Sequence, residues 1–440
     1  MFFKKMTAIG AAACAAVMVA TEAGAAAFQL TEQSVVTLGR AYSGAGITGD
    51  DVSAPFYNPA AMVFLPGTQV QFGVIGVTMN QVLKLDANGE KNDGQNKTEF
   101  LPNFYITHQL NDNWWVGLGV TTPFGLSTSY GQYSHGNWNY GNRGTEAELF
   151  DIDINPCFAW KPNDFFSFGG GISLQYAKAK LGLDAFNPYQ ASEKNPYGRS
   201  ATNPNGYMGH GEETGDSWAW GWNVGILLRP TEKTRFSISY RSAVKHKATG
   251  HFKFSNPYFS GKYPSKVTIK TPDTVYASGL WEATNNLTLT GTIRWAKWQN
   301  CHEWTLRQSG VPAIPALSAL NNIDIRHHYR NTWLFALGAD YKINDQWTVR
   351  GGVAYEECAV DDQSYRVATI PDGDRLFLSL GASYNFDKHW SVDTALLWVQ
   401  GLGTSEFYQY DHTDNPKSKR IGKWSTQHSL IYGLQLRYKF

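Results

Sequence analysis

Charge is scarce in this chain. Lys, Arg, Asp and Glu make up 17% of its 440 residues, where soluble domains carry about 25%. The formal net charge is +1 and no basic run interrupts the sequence, so no nucleic-acid partner is expected. Cysteine is scarcer still, with 4 in all. Beyond Cys14 only Cys157, Cys301 and Cys358 remain, scattered and odd in number. That excludes a disulfide framework and a structural metal site; the three read as free thiols on a wall, with one pair able to bridge. Long apolar runs are missing too. After the N-terminal segment nothing approaches the roughly 20 residues of a spanning helix. His302, His327, His328 and His389 have no nucleophile or carboxylate at a recognisable spacing. There is no Gly-rich phosphate loop either, so neither enzymatic activity nor a cofactor is expected.

Aromatics are abundant. They form 14% of the chain, and Gly numbers 43. A chain rich in both, poor in charge and without a spanning helix fits an outer-membrane barrel, because a bilayer is crossed only by helices or closed barrels. The first residues read as a cleaved export signal over residues 1–25. Lys4 and Lys5 give a positive start, Thr7 to Ala20 is apolar, and Ala23-Gly24-Ala25 is a small-residue cleavage site. A lipoprotein reading of Cys14 would cut that apolar run in half.

Period-two alternation dominates the rest. At the C-terminus, Leu430, Tyr432, Leu434, Leu436, Tyr438 and Phe440 share one face, and Ile431, Gly433, Gln435, Arg437 and Lys439 the other. An apolar face for lipid and a polar face for a lumen is the barrel pattern. The face Phe166, Phe168, Gly170, Ile172, Leu174, Tyr176 repeats it, as does Leu376, Leu378, Leu380, Ala382, Tyr384, Phe386. Short turns at Asn111–Asn113, Lys161–Asp164, Pro230–Lys233, Thr284-Asn285, Asn344-Asp345 and Asp387-Lys388 alternate with longer polar breaks. Those breaks are Leu83–Thr98, Pro123–Thr145, Gly182–Ser217, Phe252–Ser265, Arg307–Asp324, Asp361–Pro371 and Gly403–Lys423. Alternate short periplasmic turns and long external loops belong to transmembrane barrels. The expected fold is therefore all-β: an antiparallel transmembrane barrel of about 14 strands over residues 67–440. Such a lumen is wider than its own side chains fill. Residues 26–66, broken by Gly39, Gly44, Gly46, Gly49, Pro55 and Pro59, fit neither helix nor strand and are expected to plug it. The terminal Phe440 is expected to engage the barrel-assembly machinery, and the outer wall to meet outer-membrane lipid and lipopolysaccharide.

Several motifs carry a resemblance. FQL at Phe28, LGRAYSG from Leu38, GDD from Gly49 and NPA at Asn58-Pro59-Ala60 look like the hatch of the FadL family of long-chain fatty acid transporters. GDSWAWGWNVGILLRP (215–230), SYRSAVK (239–245), NTWLFALGADYKINDQWTVRGGVAYEE (331–357) and IPDGDRLFLSLGASYNF (370–386) extend it over nearly all of the chain. The resemblance implies a Gram-negative outer-membrane protein that takes up long-chain fatty acids passively. Its steps are capture among external loops, binding in an internal pocket, rearrangement of the hatch, and lateral exit at a kink in the third strand. Import of aromatic hydrocarbons is the alternative within the family, and a general porin the alternative outside it.

The resemblance also points to residues. Phe28 belongs either to the ligand pocket or to packing of hatch against wall. Asn58, Pro59 and Ala60 are expected to anchor the hatch, since Pro59 forces Asn58 extended. Asp50 and Asp51 either pair with wall arginines such as Arg350 or Arg294 or form solvated plug surface. A fatty acid carboxylate in an apolar pocket needs a cation. Lys178 and Lys180 in YAKAK and Arg307 in TLRQ are the candidates, against a reading as lumen-facing or loop-base charge. The third strand is expected over Trp114–Thr122, with Gly117 and Gly119 as its kink or as ordinary barrel glycines. Phe186, Tyr189, Tyr197, Phe252, Phe254, Tyr258 and Phe259 form either an outer capture surface or loop cores.

Overall fold

The structure is a computed structural model. It describes residues 27–86, 89–93, 98–130, 143–186, 190–192, 199–203, 206–255, 260–311, 322–362, 365–366, 368–403, 406–408 and 420–440. The expected export signal lies outside them.

Fourteen antiparallel strands close into one barrel. They are β1 (Thr68–Leu85), β2 (Thr98–Gln109), β3 (Trp114–Thr121, resuming as Gly125–Ser129), β4 (Arg143–Trp160), β5 (Phe166–Phe186), β6 (Tyr207–Thr231) and β7 (Thr234–Arg241, then Lys245–Ser255). The ring continues with β8 (Ser260–Lys270, then Thr274–Glu282), β9 (Leu287–Ala296, then Glu303–Gln308), β10 (Asn322–Arg326, then Thr332–Lys342) and β11 (Trp347–Glu356). It ends with β12 (Asp374–Asn385), β13 (Trp390–Leu402) and β14 (Arg420–Lys439). Closure comes from β1 on β14, in register from Gln69–Lys439 to Leu85–Gly422.

The alternation in the sequence is the alternation of the wall. On β14 Leu434 is 62% exposed while its neighbour Gln435 is fully buried. On β5 Ile172 is 60% exposed and Ser173 is 1%. Outward apolar residues meet hydrocarbon, and inward polar ones meet the interior.

The long breaks are shorter than their composition suggests. Within the expected loop Gly182–Ser217, β5 runs on to Phe186 and β6 begins at Tyr207. Phe252–Ser265 is mostly strand, carried by β7 and β8. Polarity marks where the wall leaves the membrane, not where the hydrogen-bond ladder stops. Phe252 and Phe254 are correspondingly not a capture surface. Both are buried against Met208, Ala185 and Val311. Tyr189, Tyr197, Tyr258 and Phe259 lie outside the described residues. The three cysteines are free and buried.

Replacing Leu434 by Arg sets a charge on the lipid face. We expect a loss of about 2–3 kcal/mol in folding free energy into lipid vesicles, read from the urea midpoint. An unchanged midpoint would deny this face to the bilayer.

Candidate functional site

Residues 27–65 are buried almost throughout. Two helical turns, α1 (Val35–Leu38) and α2 (Ala54–Tyr57), and a 3-10 turn (Pro59–Phe64) interrupt an otherwise irregular path. The wall supplies hydrogen bonds all round it. Gln435 of β14 accepts from the Val35 N–H at 3.0 Å, and Thr292 of β9 accepts from the Gly44 N–H at 2.9 Å. Ser278 of β8 donates to the Ala45 carbonyl at 2.9 Å. Arg235 of β7 donates to the Thr48 carbonyl at 2.7 Å, and Trp115 of β3 to the Leu65 carbonyl at 3.1 Å. The segment is thus enclosed by the ring.

Asn58-Pro59-Ala60 sits in a groove made by glycine. Gly169 of β5 and Gly225 of β6 face each other across the ladder. A Cβ on Gly225 would overlap Asn58 Oδ1, and one on Gly169 would overlap Ala60 N. Asn58 accepts from the Ala60 N–H at 3.0 Å, capping the 3-10 turn, and donates to the Ile226 carbonyl at 3.2 Å. Ser239 donates to the Tyr57 carbonyl at 2.6 Å, and Ser167 to the Ala60 carbonyl at 3.1 Å.

A chain of ion pairs ties another part of the segment to the wall. Arg40, with no exposed side-chain surface, contacts Asp50 at 2.9 Å and Asp340 at 2.5 Å. Arg350 lies 3.4 Å from Asp340 and 3.9 Å from Asp50. Asp393 bonds Arg437 at 2.7 Å. Of the two wall arginines expected to meet Asp50 and Asp51, only Arg350 does. Arg294 is matched instead to Glu356 and Thr31. Burial opposes ionisation of Asp50, but Arg40 and Arg350 hold its carboxyl below the usual range. Burial, then the neighbouring charge of Asp50, pushes Asp51 up. Asp51 is bonded within the segment by Ser34 and Ser53.

Above it is an apolar cluster centred on Phe28, which is fully buried. Its ring meets Trp298 edge-on at 4.9 Å, Trp304 at 5.6 Å and Phe124 at 6.0 Å. His327 stacks on Tyr329 at 4.9 Å and meets Trp304 at the same distance. The indole N–H groups of Trp298 and Trp304, both His327 nitrogens and the Tyr329 hydroxyl are buried without a hydrogen-bond partner among the described residues. A small cavity of about 20 Å³ adjoins the cluster, lined by Phe124, Leu149, Asp151, Ala179 and His246 among others. Sequence reasoning missed Trp298, Trp304, His327 and Tyr329. Its only available signal was a dense run of aromatics outside the alternating segments.

The third strand breaks, but not at the expected glycines. Gly117 and Gly119 lie in an unbroken ladder, paired with Thr107 and Tyr105 on one side and Cys157 and Asn155 on the other. Their role is close approach. A Cβ on Gly117 would stand 2.6 Å from Met62 Sδ. The break falls at Thr122–Phe124, where four steps on β3, Thr121 to Gly125, oppose three on β4, Asp153 to Phe150. The N-terminal segment fills it. Leu30 N–H donates to the Pro123 carbonyl at 2.8 Å and Gly125 N–H to the Phe28 carbonyl at 3.0 Å. Gln33 bonds both the N–H and the carbonyl of Thr122. The β2–β3 ladder ends at Phe104–Val120, while β2 continues to Thr98 paired with β1 among the described residues. A lateral seam therefore adjoins Phe28.

The three candidate cations are elsewhere. Lys178 and Lys180 occupy the outward face of β5, continuous with Ile172, Leu174 and Tyr176. Lys180 is paired with Glu146 at 2.8 Å and Glu212 at 3.6 Å. Arg307 is exposed on the outward face of β9, 2.5 Å from Asp324. None of the three reaches the Phe28 cluster, because inward positions are the odd-numbered ones on β5 and the even-numbered ones on Glu303–Gln308 of β9.

Gly225→Val should force Asn58 out of its groove. We expect a loss of about 1–3 kcal/mol and faster proteolysis within residues 50–66; wild-type protection would deny the anchor. Arg40→Met leaves Asp50 and Asp340 with only Arg350 between them, at 3.9 and 3.4 Å. It should cost about 3–5 kcal/mol in the urea midpoint, and a loss under a third of that would mean the two acids re-pair elsewhere.

Comparison with known proteins agrees with this geometry. Residues 16–440 match the family described as outer membrane protein transport protein (OMPP1/FadL/TodX). The chain is 28% identical over 416 residues to a long-chain fatty acid transport protein of Escherichia coli O6:H1, covering 89% of this chain and 90% of that one. It is 27% identical to outer membrane protein P1 of Haemophilus influenzae, over 97% and 98% of the two chains. The fold is similar to that of a Pseudomonas aeruginosa FadL homologue, with a TM-score of 0.81 at 23% identity over 94% of this chain and 100% of the other. It is also similar to that of the P. putida toluene transporter TodX, with a TM-score of 0.69 at 17% identity over 95% and 99%. The chain belongs to the FadL family of outer-membrane β-barrel transport proteins.

Proposed function

We propose that this protein passively takes up long-chain fatty acids or similar hydrophobic molecules across the outer membrane. Residues 26–66 form the hatch and residues 67–440 the barrel that houses it, and Phe440 is the barrel-assembly signal. The observation that carries the reading is the juxtaposition at Phe28. An apolar, aromatic-rich cluster, the start of the hatch and the broken third strand meet within one residue's reach. A ligand arriving from the external loops exchanges water for the rings of Trp298, Trp304 and Tyr329, which favours any apolar body. Phe28 belongs to the hatch rather than the wall, so its displacement makes room. The same displacement releases Thr122, Pro123 and Gly125 from their hatch partners, and the seam beside β2 then leads sideways into the bilayer.

One observation favours the aromatic-hydrocarbon reading within the family. Lys178, Lys180 and Arg307 lie on the outer wall. The inward arginines Arg241, Arg294 and Arg375 are matched to Asp153, Glu356 and Asp372. The polar atoms left for a ligand head at the cluster belong to indole, imidazole and phenol groups, none of them a lysine or arginine. Such a site suits an uncharged body better than a carboxylate.

A disulfide between Gln29→Cys and Phe124→Cys, in a background without other thiols, tests the hatch. These two positions bridge segment and strand directly. Oxidation should abolish uptake of radiolabelled oleate and of toluene, with recovery on reduction. Uptake indifferent to oxidation would leave the segment a fixed stopper. Equilibrium binding of the two ligands to purified protein distinguishes the classes. In planar bilayers the wild type should show little steady conductance; an open-channel current would favour a porin.

A further inference from the structure

The upper outer wall of β7, β8 and β9 carries a dense basic face that transport does not use. On β7 the outward positions are Lys245, Lys247, Thr249, His251, Lys253 and Ser255. On β8 they are Ser260, Lys262, Pro264, Lys266, Thr268 and Lys270. Neither run contains an acid. Arg307 continues the face on β9, where Glu303 is also outward, at the level of Lys270.

Register sharpens the pattern. Lys245 stands opposite Lys270 and Lys253 opposite Lys262, and Lys266 stands opposite Arg307. Like charges directly opposite on adjacent strands destabilise a sheet. Anions placed beside such pairs relieve that cost. The chain supplies only part, at the margins. Glu212 reaches Lys253 at 3.3 Å, and Asp324 reaches Arg307. Asp216 faces Thr249 across the β6–β7 ladder. Lys245, Lys247, Lys262, Lys266 and Lys270 make no ion pair with a described residue.

The height of the face identifies the missing anion. Trp218, Trp220 and Trp222 of β6 are 59%, 71% and 43% exposed, and Tyr240 lies against Trp222 at 4.9 Å. Exposed Trp and Tyr in this arrangement form the belt at the membrane–water boundary. Asp216 faces Thr249, so Trp218, two residues below, is level with Lys247. The long connections, and hence the cell exterior, are on this side. By the same register Lys245 is level with Trp220, so the lysines start within the belt and continue above it through the layer of lipid headgroups. The anions at that depth are headgroup phosphates, and the Lys ammonium is a compact donor for them.

We infer that the outer face of β7, β8 and β9 binds phosphorylated lipid headgroups of the outer leaflet, with Lys245, Lys247, Lys266 and Lys270 as its principal contacts. The site lies on the opposite side of the wall from the Phe28 cluster and does not depend on what the barrel transports. Bound phosphate removes the like-charge penalty between strands, so headgroup binding and barrel stability are linked.

The test titrates folded full-length protein in mild detergent with three probes: lipid A bearing both phosphates, the same lipid stripped of phosphate, and inorganic phosphate. The thermal midpoint should rise with phosphorylated lipid A only, and the rise should shrink as salt is added. In the variant Lys245→Gln, Lys247→Gln, Lys266→Gln, Lys270→Gln, apparent binding should weaken about tenfold or more. Its heat-modifiable mobility reports that it still folds. The double variant Lys247→Gln, Lys266→Gln changes only two exposed side chains and should show an intermediate loss. An equal rise with dephosphorylated lipid would overturn the inference in favour of acyl-chain contact. An equal rise with inorganic phosphate would overturn the lipid assignment, and unchanged binding in both variants would remove the face.

Discussion

An irregular backbone buried among strands must find a partner for every N–H and carbonyl it carries. Residues 27–65 have little helix and no ladder of their own, so their partners come from the inner wall. Gln435, Thr292, Ser278, Arg235, Ser239, Ser167 and Trp115 each provide one, from six different strands. The polar inner face required by a wide barrel and the unsatisfied backbone of the segment resolve each other. Without the segment the polar groups of the wall would turn to lumen water, and without the wall the segment would be an unfolded tail.

Where the fit is tightest, the wall gives up its side chains. The facing glycines Gly169 and Gly225 admit Asn58-Pro59-Ala60, and Gly338 and Gly352, also face to face, admit the backbone of Arg40. Arg40 then joins Asp50 and Asp340 in a chain of ion pairs. Buried ion pairs are expensive to assemble and more expensive to leave half-formed. They fix one position of the segment along the wall. The Phe28 end is held differently, by four backbone and glutamine contacts to a broken strand and by ring packing. Apolar packing is less directional than an ion-pair chain, so the position of this end is less tightly specified than that of the other.

Much of this was legible in the sequence. Two-residue periodicity gave the strands, their faces and, through the alternation of short and long breaks, their number. It also held information that motif similarity obscured. Counting by twos from Ile172 reaches Lys178 and Lys180, so their outward orientation follows from the same face that identified β5. Matching YAKAK to a ligand-contacting segment ignored that count. The loop boundaries failed for a related reason, since hydropathy reports contact with lipid and says nothing of hydrogen bonding beyond the membrane.

The sequence by itself determined the barrel, the segment that would not be strand, and the side of the wall on which each strand residue lies. These are local properties, set by the geometry of successive peptide units. Only the tertiary structure decided what depends on register between strands. The break at Thr122–Phe124 appears when steps on β3 are counted against steps on β4. The lysine pairs of the outer face appear when β7 is set beside β8. The cluster at Phe28 assembles Trp298, Trp304, His327 and Tyr329 from positions some 270 to 300 residues further along the chain. Contacts of that kind carry no local signature, because ring closure fixes their positions rather than the residues beside them.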